Sequence, residues 1–128
     1  DSSESNASGG DYIAYCWHSV SGYSKIGTYT GIASGNVTVT TGFRPDFVMV
    51  KCTSHGSTHW EIHDSVRTFG TGAYRLRPNE NSAEASFNNT PIKYTSTGFY
   101  LDSSVTANSY VDYDANGRTY IYMAFKIN

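Results

Sequence analysis

A chain of 128 residues with a formal net charge of −2, 38% apolar residues and 16% charged residues is one domain's worth of protein. The balance of charge excludes a duplex nucleic-acid binder, which needs a concentrated basic face. No run approaches the roughly 18 apolar residues of a membrane-spanning helix, so insertion into a membrane is not expected. Aromatics at 15% exclude disorder. Leucine occurs only at Leu76 and Leu101 against 11 tyrosines, which tilts the composition toward strand. No signal-peptide pattern is read from the first residues given, and a chain that begins at Asp1 is expected to have lost, or never to have included, residues upstream.

Residues 1–10 are small and polar and read as a flexible lead-in, which leaves 11–128 as a single domain. Tyr12-Ile13-Ala14-Tyr15-Cys16-Trp17 has the length and aromatic content of a buried strand. Beyond Ser21-Gly22, Tyr23 to Thr30 alternates, with Tyr23, Lys25 and Tyr29 on one side and Ile26 and Thr28 on the other. Gly35-Asn36 is a hairpin signal ahead of Val37-Thr38-Val39-Thr40, the cleanest two-residue period in the chain. Phe47-Val48-Met49-Val50 follows Gly42 and Pro45 and reads as the strongest core strand.

His59 to His63 alternates again. The reading is a solvated face carrying His59, Glu61 and His63, opposite a face carrying Trp60 and Ile62. From Ser65 to Asn89 the period is broken by Gly70, Gly72 and Pro78; one helical turn is expected near Asn81 to Glu84, and Asp64 is expected to pair with Arg67 and fix its loop. Ile92 to Tyr94 and Gly98 to Leu101 are short strands, and Tyr120 to Phe125 closes the chain as a second strongly buried one. Roughly eight to ten short strands between Gly, Ser and Asn turns predict an all-β fold, a single-domain antiparallel β-sandwich of jelly-roll-like form with little or no helix.

One internal similarity stands out. Residues 6–13, Asn6-Ala7-Ser8-Gly9-Gly10-Asp11-Tyr12-Ile13, lie over 114–121, Asp114-Ala115-Asn116-Gly117-Arg118-Thr119-Tyr120-Ile121, with Ala, Gly, Tyr and Ile coinciding. Either any Gly turn before a strand looks this way, or the chain holds one full module preceded by the last strand of an earlier copy, in an array with a period of about 110 residues. Cys16 and Cys52 allow one bridge or two buried thiols.

Candidate sites are few. Asp112-x-Asp114-x-Asn116-Gly117 matches the first half of a calcium loop, but the place of its bidentate Glu holds Met123, and the same residues suit any tight turn. No cofactor is expected beyond that calcium. His59, Glu61 and His63 would need further ligands to close a zinc-like site. No Gly-x-Ser-x-Gly elbow, His-Glu-x-x-His or phosphate loop occurs, so no catalytic residue is assigned. The tyrosines, with Tyr113 among them, are too many for so small a core. Tyr23, Tyr29, Tyr74, Tyr94, Tyr100 and Tyr110 are therefore candidate surface aromatics, for stacking on sugars or for subunit contacts. The loops Ile32 to Asn36, Ser54 to His59 and Thr68 to Tyr74 are the candidate contact loops.

Taken in order, Tyr15-Cys16-Trp17, Gly22-Tyr23-Ser24-Lys25-Ile26-Gly27-Thr28-Tyr29-Thr30-Gly31 and Thr41-Gly42-Phe43-Arg44-Pro45-Asp46-Phe47-Val48-Met49-Val50-Lys51 carry a resemblance. It continues through Trp60 to Arg67, Leu76-Arg77-Pro78-Asn79, Ala83-Glu84, Ser96-Thr97-Gly98-Phe99 and Tyr120 to Phe125, almost the whole chain. The pattern resembles a module of tailed-bacteriophage virion proteins, tail-fibre-like and structural, common in marine and cyanobacterial phages and often in tandem. That resemblance implies a β-sandwich on the virion, in a tail fibre or on the capsid exterior, with no assigned catalysis. It implies a homotrimer, because fibres are commonly threefold, and partners that are other virion proteins or a host-surface glycan. The alternatives are capsid decoration and a carbohydrate-binding module of a secreted protein. Ile32 to Val39, and Cys52 with the histidines near it, depart from the pattern.

Overall fold

A computed structural model, which describes residues 8–67, 73–87, 89–107 and 110–127, turns the alternating segments into nine strands and one short helix among those residues. In chain order these are β1 (Ser24–Thr30), β2 (Val37–Thr40), β3 (Phe47–Cys52), β4 (Trp60–Asp64), β5 (Ala73–Arg75), β6 (Ala85–Phe87), β7 (Ile92–Thr95), β8 (Gly98–Leu101), α1 (Ser103–Thr106) and β9 (Thr119–Phe125). The order β1-β9-β3-β4 makes an antiparallel four-stranded sheet, packed on an antiparallel three-stranded sheet of order β2-β8-β7. The β5-β6 hairpin hangs on the free edge of β4, where Ile62 and Leu76 exchange backbone hydrogen bonds of 2.9 and 3.2 Å. The fold is thus an all-β sandwich.

The β-branched alternation of β2 buries Val37 and Val39 and leaves Thr38 and Thr40 in solvent. They meet Val48, Val50 and Cys52 of β3, Tyr120, Tyr122 and Ala124 of β9, and Ile92, Phe99 and Leu101 of the second sheet. At Gly98 a β-carbon would run into the Val39 carbonyl oxygen, so glycine is what lets β8 approach β2 there.

Tyrosine is a core residue here because its hydroxyl reaches backbone from inside. The Tyr29 and Tyr120 rings stack 4.9 Å apart; Tyr29 donates to the Tyr113 carbonyl at 2.6 Å and Tyr120 to the Val111 carbonyl at 3.0 Å.

Several expectations are corrected. Tyr12 to Trp17 forms no strand and lies exposed, because β9, with a similar aromatic pattern, occupies the interior place between β1 and β3. Gly35-Asn36 does not close a hairpin: β2 leaves β1 for the other sheet, and the Asn36 carboxamide oxygen instead accepts from the Ser103 amide at 2.9 Å. The helical turn is at Ser103–Thr106, where Asp102 caps it by accepting from the Ser104 amide at 3.0 Å. At Asn81 to Glu84 there is no such cap, since the Ser82 hydroxyl is turned to Glu80. The face of β4 read as solvated is the buried one: Glu61 and His63 are 0% and 1% exposed, while Trp60 and Ile62 are half-buried on the outside. Arg75 and Arg77, arriving on the hairpin, make that inversion possible. Cys16 is exposed, Cys52 is buried, and both are free thiols. Asp64 pairs with Arg67, as its spacing suggests.

Candidate functional site

β3 and β9 are apolar at successive positions, so each presents hydrophobic side chains on both faces of its sheet. Inward, these residues build the core. Outward, register sets Met49 beside Met123 and Phe47 beside Phe125, the two rings 5.9 Å apart. Trp17, Tyr23 and Ile127 close the rim and leave a groove of about 460 Å³. Beside it, β4 sets Ile62 against Met49 and Trp60 against Lys51. A sheet face meant for water alternates with polar residues; an unbroken apolar run belongs to a strand covered on both sides. Trp17, Tyr23 and Ile127 are more than half exposed, so this face is an apolar surface open to solvent.

At the opposite, inner side of the same edge sits a cluster of charges. The Glu61 carboxylate accepts from Arg77 Nε at 2.7 Å, Arg75 Nη1 at 3.2 Å and the Tyr113 hydroxyl at 2.9 Å. Arg77 also reaches Asp112 at 3.0 Å, and Asp112 accepts the His59 amide at 2.8 Å. His63 Nε2 lies 2.9 Å from the Tyr113 oxygen, and since that hydroxyl donates to Glu61, Nε2 is the donor to it. Burial pushes the Glu61 carboxyl above its ordinary value while the guanidiniums of Arg75 and Arg77 pull it back. Burial, with Arg75 and Arg67 nearby, pulls His63 down to about 3, so it is neutral at ordinary pH. Burial and the neighbouring Glu61 raise the Tyr113 phenol. Acid, base and phenol are joined to one another; the adjoining cavity of about 200 Å³ is lined by Arg75, Arg77, Glu80 and Ser82.

The residues picked from the sequence scatter. Tyr23 is on the groove rim; Tyr74 and Tyr110 are exposed near the edge hairpin and the Asp112 turn; Tyr100 is half-buried on β8. Tyr29 is not a surface aromatic at all: it is buried and stacked on Tyr120. Tyr94 packs against the core, its hydroxyl buried and the Arg44 guanidinium 5.5 Å from its ring centre. Among the candidate calcium ligands, Asp112 is engaged by Arg77 and His59, Asp114 accepts from the buried Thr106 hydroxyl, and Asn116 is exposed. Among the described residues no three His, Cys, Asp or Glu side chains stand close enough to share a metal ion. His59 pairs with Glu80 at 2.9 Å, away from the Tyr113 bond of His63.

The loops beginning at Ile32 and Ser54 start at one end of the sandwich, since Gly31 and Ser54 both bond the 117–119 turn. Of the Thr68 to Tyr74 loop, residues 68–72 lie outside the described residues. The groove residues Phe47, Met49, Met123 and Phe125 were not picked from the sequence as a site. Their signal was the unbroken apolar run itself, which reads as a core strand unless one asks what covers its second face.

A family profile for a domain of unknown function, DUF7483, matches residues 1–128. No curated protein and no solved structure matches the chain.

Proposed function

We propose that this chain, which belongs to the DUF7483 family, is a non-enzymatic structural module of a tailed-bacteriophage virion, acting in a tail fibre or attachment protein. Copies pack as a homotrimer through the apolar outer face of β1-β9-β3-β4, and the loops at the 117–119 end meet the host surface. Affinity for that surface then comes from multiplied weak contacts. The observation that carries the reading is the groove between Phe47, Met49, Met123 and Phe125, an apolar sheet face that, among the described residues, only its own rim of Trp17, Tyr23 and Ile127 borders. The ordered resemblance to virion modules supports the setting. The mutual bonding of Glu61, His63 and Tyr113 supports a structural role for this buried acid–base cluster.

Sedimentation equilibrium of the purified chain across micromolar concentrations tests it. A mass approaching three monomers is expected, and a monomer at every concentration overturns it. The exposed rings of Trp17 and Tyr23 on the groove rim favour a second reading, a carbohydrate-binding module. A monomer that binds one glycan on an array, and loses it in Trp17→Ala and Tyr23→Ala, would establish that reading in place of the first.

A further inference from the structure

Two stretches of this chain share a pattern and differ in what surrounds them. Gly9 and Gly117 stand in turns at positive φ, +79° and +72°. Each is followed by an aromatic run opening Tyr-Ile: Tyr12-Ile13-Ala14-Tyr15-Cys16-Trp17 after the first, Tyr120-Ile121-Tyr122-Met123-Ala124-Phe125 after the second. In β9, Tyr120, Tyr122 and Ala124 are buried against the second sheet, and Ile121, Met123 and Phe125 lie on the outer face. Laid on that register, Tyr12, Ala14 and Cys16 fall inward while Ile13, Tyr15 and Trp17 fall outward.

The match has physical content at both faces. Cys16, a small residue, falls where Ala124 is fully buried, and Trp17 falls where Phe125 walls the groove. Ala14 in place of Tyr122 is the one inward position that differs greatly in size. Yet Ile13 is 83% and Tyr15 74% exposed, and the stretch belongs to no sheet among the described residues. An apolar segment of central-sheet character lies largely exposed, only its Trp17 reaching the groove rim, while its likeness fills the centre of a sheet.

We propose that residues 9–17 are the closing strand of another module of this same fold, seated between that module's β1 and β3 as residues 117–125 are seated here. A copy that has its own β9 offers no place for it. The recipient is therefore a second copy whose chain runs directly into this segment, in an array repeating every 110 residues or about that. The boundary between modules then falls at His18 to Tyr23, before β1, and not at the Gly-rich lead-in.

The test joins residues 18–116 of one copy directly to residues 9–128 of a second, and counts thiols that react quickly with a chromogenic disulfide reagent in native buffer. The single chain is expected to show one fast thiol, since Cys16 is exposed and Cys52 is buried. For a fusion of monomeric mass the expected count is zero, with Cys16 buried in the upstream module and both Cys52 thiols in cores. One fast thiol overturns the proposal, since the upstream module then closes without the segment; two overturn it as well, since that module has stayed unfolded. Two further measurements read the same seat. Ala14→Tyr should raise the melting temperature of the upstream module by more than about 5 °C and leave the single chain unchanged; no rise in the fusion contradicts the seating. Removing residues 1–17 from the single chain should shift its melting by less than about 2 °C, and a larger fall would assign the segment to its own module.

Discussion

β3 and β4 are neighbours in one sheet, and they arrange their side chains by opposite rules. β3 sends Val48, Val50 and Cys52 inward, as a soluble sandwich is expected to do. β4 sends Glu61 and His63 inward and turns Trp60 and Ile62 to the outside. Alternation tells which residues share a face, and the neighbours decide which face is buried. β3 lies between β9 and β4 and faces the valines of β2 across the core. β4 lies at the edge, where the hairpin brings Arg75 and Arg77 alongside, and these guanidiniums with Tyr113 satisfy a carboxylate that could not otherwise be buried. The same edge is therefore polar within and apolar without. On the inner side Glu61 finds its donors within the chain, although His63 Nδ1 is buried without a partner among the described residues; the outer side is completed, on the function proposed above, by another copy.

Four substitutions or conditions break or sharpen that contrast. The largest effect is expected from Glu61→Leu, which leaves Arg75, Arg77 and Tyr113 short of their common acceptor. Urea unfolding should show a loss of about 3–5 kcal/mol, against less than about 1 kcal/mol if the cluster were merely tolerated. Acid comes next. His63 is held down to about 3 in the fold and returns to about 6.5 when unfolded, so the unfolded chain binds the proton first. Stability is full above about pH 6.5 and falls on the order of a few kcal/mol as pH drops toward 3. His63→Phe should flatten that slope in urea titrations at stepped pH. Asp64, held low by Arg67 and nearby amides against its burial, adds to the acid loss, while the raised Glu61 opposes it.

A smaller effect is expected from Tyr113→Phe, which removes the hydroxyl linking His63 to Glu61; about 1–3 kcal/mol should be lost in the same unfolding measurement. The smallest change in stability should come from Met49→Glu on the outer face, within about 1 kcal/mol, because the side chain is only half-buried in the monomer. A large loss there would make the outer face part of the monomer's own core.

How far the sequence speaks differs along the same two strands. The two-residue periods of Val37 to Thr40 and His59 to His63 located strands, and the all-β composition carried the architecture. What alternation could not supply was the side of Glu61 and His63, because the deciding arginines stand 14 and 16 positions further on, beyond a broken stretch without periodicity. Nor could local pattern tell Tyr12 to Trp17 from Tyr120 to Phe125: both read as buried strands, and only one interior place exists between β1 and β3. Tyr29 illustrates the third failure, since a phenol is equally suited to an exposed stacking surface and to a core in which backbone carbonyls receive its hydroxyl. The groove was legible as an excess, in apolar runs too continuous for a strand with one wet face.

The division between an inner edge bonded within the chain and an outer face proposed to meet another copy is tested most directly by sedimentation equilibrium on three proteins, the native chain, Met49→Glu and Glu61→Gln, each at a temperature where it is folded. The expected result is association of the native chain and of Glu61→Gln, with Met49→Glu monomeric while melting close to the native temperature. Equal association by Met49→Glu, or monomers throughout, would contradict the assignment of the outer face to contact between copies.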